Sequence, residues 1–121
     1  MAVSVTSQTD PYVDKLIVDT DANATAEDNV LTGAATCYIL DTDNSNNSTA
    51  VYAKFFNTTN ATTGTTEPDI LMLVPANVRQ VLTVSSGVVF AAGLSIACVA
   101  GKATSNAVSP TNSITIRVMA E

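Results

Sequence analysis

Histidine is absent from this sequence. That removes the commonest general base, the commonest metal ligand and the usual partner of a serine or cysteine nucleophile. Basic residues are scarce too: Lys15, Lys54, Arg79, Lys102 and Arg117 are the only five, against eleven acids and a formal net charge of −6. They are scattered, so no basic stripe is expected to hold nucleic acid or an anionic membrane. No apolar run approaches the ~20 residues of a membrane helix. The longest apolar region, 88–100, is broken by Gly93 and reads as two strands. The opening "MAVSVTSQTD" lacks the charged and apolar regions of a signal peptide, so a soluble protein made in a cytoplasm is expected. There are only two cysteines, Cys37 and Cys98, far apart and in apolar surroundings. Buried free thiols are expected of them, with a cross-strand disulfide as the alternative.

What the chain does contain is 46% hydrophobic residues with only 13% charged, the rest being rich in Thr, Asn, Ser and Ala. This mixture is too apolar for disorder and suits half-buried strands joined by uncharged polar loops. At 121 residues it is read as one domain with one modest core. Short apolar or alternating segments recur between turn signals, near 3–7, 15–19, 34–41, 49–57, 69–74, 79–85, 88–90, 94–100 and 113–119. Alternation assigns Val51, Ala53 and Phe55 to one face, with Tyr52, Lys54 and Phe56 on the other. Ile70, Met72 and Val74 share a face, as do Leu94, Ile96 and Cys98, and Ile114, Ile116 and Val118. Phe55, Ile96 and Ile116 are expected in the core. Lys54, Thr115 and Arg117 are expected to face solvent or a neighbouring chain. The pattern predicts an all-β fold, a single antiparallel β-sandwich of jelly-roll-like form spanning 1–121, in which 1–27 is an N-terminal segment of unassigned role.

Two "DTD" stretches raise the question of calcium. From Asp19 and from Asp41, oxygen-bearing residues recur at alternate positions, as an EF-hand loop requires at its positions 1, 3 and 5. The obligatory glycine is replaced by Ala24 in one and Asn46 in the other, and the bidentate glutamate by Val30 and Tyr52. The EF-hand pattern therefore fails, and no metal or cofactor is expected. A looser site of Asp19, Asp21 and Glu27 is the competing reading. The favoured one is that Asp, Asn and Ser at strand ends cap their own backbone and stop edge pairing.

Other chemistry is thin. Without histidine only a Ser–Lys dyad is open, and no spacing favours one. "GKAT", Gly101 to Thr104, lacks the earlier glycine and the helix of a phosphate loop. Asn23, Asn46, Asn57 and Asn60 begin Asn-x-Ser/Thr triplets that act as glycosylation acceptors only in a secreted eukaryotic chain. No catalytic residue and no enzyme activity are expected.

Four elements, in order, carry a resemblance. "LTGAATCYILDTDNSNN" is a glycine-bounded strand ending in a polar loop; "AVYAKFFN" is an aromatic–Lys–aromatic–Asn strand; "ILMLVPA" is a strand closed by Val-Pro-Ala; "GVVFAAGLSIACVAG" is a glycine-framed strand pair. Together, over roughly 28–107, they resemble a small β-sandwich domain of tailed-bacteriophage structural proteins, cyanophages included. The stretch "NVRQVLTVSS" is less glycine-bounded than that family's pattern. The resemblance implies a virion component, with no catalytic or cofactor residues to carry over. It points to a capsid decoration (cement) protein on the outer surface of the head, bound to the major capsid protein and self-associating as a homotrimer. The alternative is a tail-fibre or head-appendage module that binds a host receptor or glycan. Such a site usually clusters exposed aromatics, whereas Tyr12, Tyr38, Tyr52, Phe55, Phe56 and Phe90 are the only six here, and most lie in strands.

Overall fold

The computed structural model describes residues 3–7 and 13–121. Eight strands form two antiparallel sheets. They are β1 (Val3–Ser7), β2 (Lys15–Ala22), β3 (Ala35–Asp43), β4 (Val51–Asn57), β5 (Ile70–Val74), β6 (Arg79–Phe90), β7 (Leu94–Val99) and β8 (Ile114–Ala120). One sheet has the order β1-β2-β8-β3-β6 and the other β5-β4-β7. The two inner faces close on a shared core that includes Ile17, Leu40, Phe55, Met72, Phe90, Ile96 and Ile116. The all-β sandwich expected from the alternation is therefore the fold, and Phe55, Ile96 and Ile116 are fully buried.

Strand β8 shows why the alternation was readable. Ile114, Ile116, Val118 and Ala120 are buried, and Thr115, Arg117 and Met119 between them are half-buried on the outer face. In β3 the period of two breaks once. Ala35 and Cys37 point inward, and then Leu40 and Thr42 do, because an irregularity between Cys37 and Ile39 inserts one residue and flips the parity. The same irregularity is met in β6, where Val88 pairs with Cys37 and Thr83 with Ile39. The sequence predicts a turn at "SSG", but β6 instead runs through it as one strand of 12 residues. Gly87, at φ +78°, lies in the bulged stretch, and a Cβ there would sit 2.5 Å from Thr36 Cγ2 and 3.0 Å from the Tyr38 ring.

The second sheet gains a partner from outside its named strands. Segment 23–30 runs along the free side of β7. Glu27 and Ile96 exchange backbone hydrogen bonds of 2.8 and 3.0 Å, Val30 N–H donates to Leu94 O, and Cys98 N–H donates to Asn23 O. All six residues of β7 are consequently buried.

Candidate functional surface

The residues singled out in the sequence fall mainly into structural roles. Asp19 ends the regular pairing of β2 and is fully buried. Its Oδ1 accepts a 3.0 Å bond from Asp21 N–H, while Oδ2 is buried with no partner among the described residues. Burial above all, with the nearby Glu27 and Asp21 carboxylates adding to it, pushes its pKa up to about 6; the Asp21 amide works the other way. Asp19, Asp21 and Glu27 thus interact electrostatically, but no group of three or more Cys, Asp or Glu residues among those described converges as metal ligands do.

The second "DTD" caps its strand as a local turn. Asp43 Oδ1 accepts from Ser45 N–H at 2.9 Å, and that bonding holds its carboxyl below the usual range. The following asparagines tie one end of the sandwich together. Fully buried Asn44 donates to the carbonyls of Thr49, Val74 and Pro75 at 3.0, 3.2 and 2.9 Å. Asn47 exchanges bonds with the backbone of Asn112 at 2.8 and 3.1 Å. What reads in sequence as a soluble loop is a set of side-chain bridges between three connections.

Cys37 and Cys98 are free, buried thiols, one on each sheet, and burial pushes both up to about 12. They stay protonated and inert. Phe55, Phe56 and Phe90 are fully buried; Tyr52 and Tyr38 are half-buried, and Tyr38 Oη donates to Glu121 Oε2 at 3.1 Å. Tyr12 lies outside the described residues. Asn46 and Asn60 are exposed, and Asn23 and Asn57 are half-buried.

Lys54 keeps its expected face but corrects the expected exposure. It does point away from the core that holds Phe55, but that outer face is roofed by loops, and Lys54 is fully buried. Its Nζ donates to the carbonyls of Ala103, Thr104 and Asn106 at 3.1, 3.3 and 3.1 Å. Two of these acceptors belong to the "GKAT" stretch, which therefore serves as the wrapping for a buried ammonium. Burial holds the Lys54 pKa below the ordinary lysine value. Phe56, Ala61 and Ala97 form a small second cluster under the same roof.

Among the described residues, exposed large apolar side chains gather most on the side of β6, with Leu71 and Leu73 a smaller pair on β5. On the outer face of the five-stranded sheet, Leu16, Met119, Ile39 and Thr83 stand opposite one another in register across β2, β8, β3 and β6; Val18, Arg117, Asp41 and Val81 make the next row. Asp41 is ion-paired with Arg79, whose Nε lies 2.9 Å from Oδ1. The Nη1 of Arg117 is buried without a partner among the described residues. Asp41 and Asp43 on this face are thus matched by Arg79 and Arg117, and the net charge of −6 is carried by acids outside these rows. Leu82 lies opposite Leu40, on the inner face, yet is 38% exposed, and Val81 on the outer face is 51% exposed. Strand β5 sits above β3, where Thr42 Oγ1 lies 3.7 Å from Met72 Sδ, so the first part of β6, residues 79–83, overhangs the sandwich exposed on both faces, while Phe90 at its far end is buried in the core. The exposure of 79–83 was not foreseen, because apolar residues on both faces of a strand ordinarily mean burial on both sides. The chain matches no family model, no curated protein and no solved structure.

Proposed function

We propose that the protein is a non-catalytic structural subunit of a tailed-bacteriophage virion, decorating the assembled head and stabilising it through contacts with the major capsid protein and with copies of itself. The observation that carries this reading is the overhanging β6 together with the charge-balanced outer face beside it, a surface suited to packing against another protein. Two further features support it. The ordered resemblance of "AVYAKFFN", "ILMLVPA" and their neighbours points to phage structural sandwiches. The strand order also fits: with segment 23–30 counted beside β7, β2-β8-β3-β6 faces 23–30-β7-β4-β5, the interleaving of a jelly roll, an architecture frequent in viral capsid proteins.

The mechanism is mass action. A subunit that binds only the assembled shell stabilises that state by its binding free energy, and many identical weak contacts sum around the particle. The test is quantitative mass spectrometry of purified particles. Copy numbers on the order of hundreds support head decoration. A handful of copies points instead to a tail or fibre part, the receptor-binding alternative.

A further inference from the structure

Among the described residues, the sheet edges are blunted to different degrees. The free side of β7 is covered by segment 23–30. Strands β5 and β1 have only five residues each, and β5, although Leu71 and Leu73 are exposed on it, is flanked by Pro68 and Pro75. Natural sheets blunt their edges by such covers, by short strands, by proline, by charge and by bulges. Strand β6 is neither covered nor short, and its blunting is limited to Arg79 at its start and the bulge between Thr83 and Val88. Among the described residues it is the longest strand, at 12 residues, and β3 is its one strand neighbour. After Arg79 it carries no charged residue and no proline through Phe90. Val81, Leu82 and Val89 are exposed along it, at 51%, 38% and 62%.

The geometry points to one occupant for this edge: β6 of a second copy of the same chain, paired antiparallel about a twofold axis. The two five-stranded sheets would then be continuous. Charge selects a second copy and this orientation. A chain of net charge −6 repels its twin on most surfaces, but the β6 side is the one where its aspartates are already matched by arginines. The axis is perpendicular to the sheet, so outer-face residues meet outer-face residues. Centred near Leu82 or Thr83, the pairing sets Val81 and Thr83 against their counterparts on one face and Leu82 and Val84 on the other. The two Arg79 side chains are then roughly 20–27 Å apart along the strands and do not oppose each other. A parallel arrangement would bring them together. Because the contact is isologous, it closes at two copies. The building unit is then a dimer, in place of the trimer that the family resemblance implies.

This inference shares the β6 surface with the proposed function but does not need a shell, so the two fail separately. The test is sedimentation equilibrium of the purified full chain, with Val81→Lys as the variant and Val108→Lys as the control. Val81 and Val108 are both exposed, at 51% and 62%, so neither change disturbs the core. The parent and V108K should be dimers, and V81K should dissociate at least about tenfold more readily, because its two added charges lie on one face roughly 8–14 Å apart across the axis, in an otherwise uncharged contact. Of Leu82→Cys and Thr83→Cys, the variant whose residue lies on the axis should form an intermolecular disulfide on mild oxidation, since Cys37 and Cys98 are buried and do not compete. A monomeric parent, a trimer, or a V81K chain as dimeric as the parent overturns the pairing. A dimer that fails to bind purified capsids leaves the pairing standing and removes the shell reading.

Discussion

Lys54 and Phe55, adjacent on β4 and pointing to opposite faces of the sheet, are both completely buried. One fills the core between the sheets; the other anchors the loop that roofs the sheet from outside. Phe55→Ala should cost about 3–5 kcal/mol, the usual range for a buried aromatic. Lys54→Ala should cost about 3 kcal/mol, since it removes the donor to three partly buried carbonyls and empties the space of the aliphatic stem. Lys54→Met restores the packing and not the bonds, and should recover part of the loss. Urea denaturation of the three variants checks this. A Lys54→Ala change costing nothing would mean that the 101–109 loop does not depend on its ammonium.

The buried carboxyl of Asp19 makes stability depend on pH in an uncommon direction. The folded chain keeps the Asp19 proton up to about pH 6, whereas an unfolded aspartate loses it near 3.8. The folded state therefore binds the proton more tightly. The stability from this group is fully present below about pH 4, and is lost as pH rises through about 6. The loss is about 3 kcal/mol by pH 8. Asp19→Asn, which cannot ionise, should flatten the change and be more stable than the parent above pH 6. Urea midpoints of both chains from pH 4 to 8 supply the check. An unaltered pH profile in the variant would assign the effect to another group.

Most of the fold was legible because water acts on alternate residues of a strand, and Ile114, Ile116 and Val118 or Ile70, Met72 and Val74 record that directly. The departures have one physical origin, contacts made far away in sequence. Lys54 reads as solvent-facing until loop 101–109, some fifty residues on, closes over it. "SSG" reads as a turn until β3 pairs on both sides of it, Ile39 opposite Thr83 and Cys37 opposite Val88, leaving the stretch as a bulge. Segment 23–30 carries no strand pattern at all, because it pairs through its backbone while its side chains cap turns, as Asn23 does for Thr25. The candidate surface was the least legible part. Nothing in "RQVLTVSSGVVF" says that β5 ends above β3 and leaves the first part of β6 uncovered.

Calcium should leave this protein unchanged. Neither "DTD" loop has the glycine or the bidentate glutamate of a calcium loop, and one oxygen each of Asp19 and Asp43 already accepts a bond from the backbone two residues on, at 3.0 and 2.9 Å. Melting temperatures in excess chelator and in millimolar calcium should coincide. A rise of several degrees with calcium would revive the site of Asp19, Asp21 and Glu27.

The last prediction concerns the particle. If the protein decorates a phage head, it acts by binding the assembled shell, and assembly itself does not need it. Particles lacking it should form but lose packaged DNA at lower temperature or after osmotic shock. Adding the purified protein back should restore resistance, saturating at a fixed ratio to the major capsid protein. The surface offered by β6 is apolar and charge-balanced, so high salt should weaken the binding only modestly. A V81K chain separates the two uses of that surface: if restoration needs the dimer, the variant should need a higher concentration to reach the same plateau. Depleted particles that are equally robust but fail to adsorb to host cells would exclude decoration and favour an appendage.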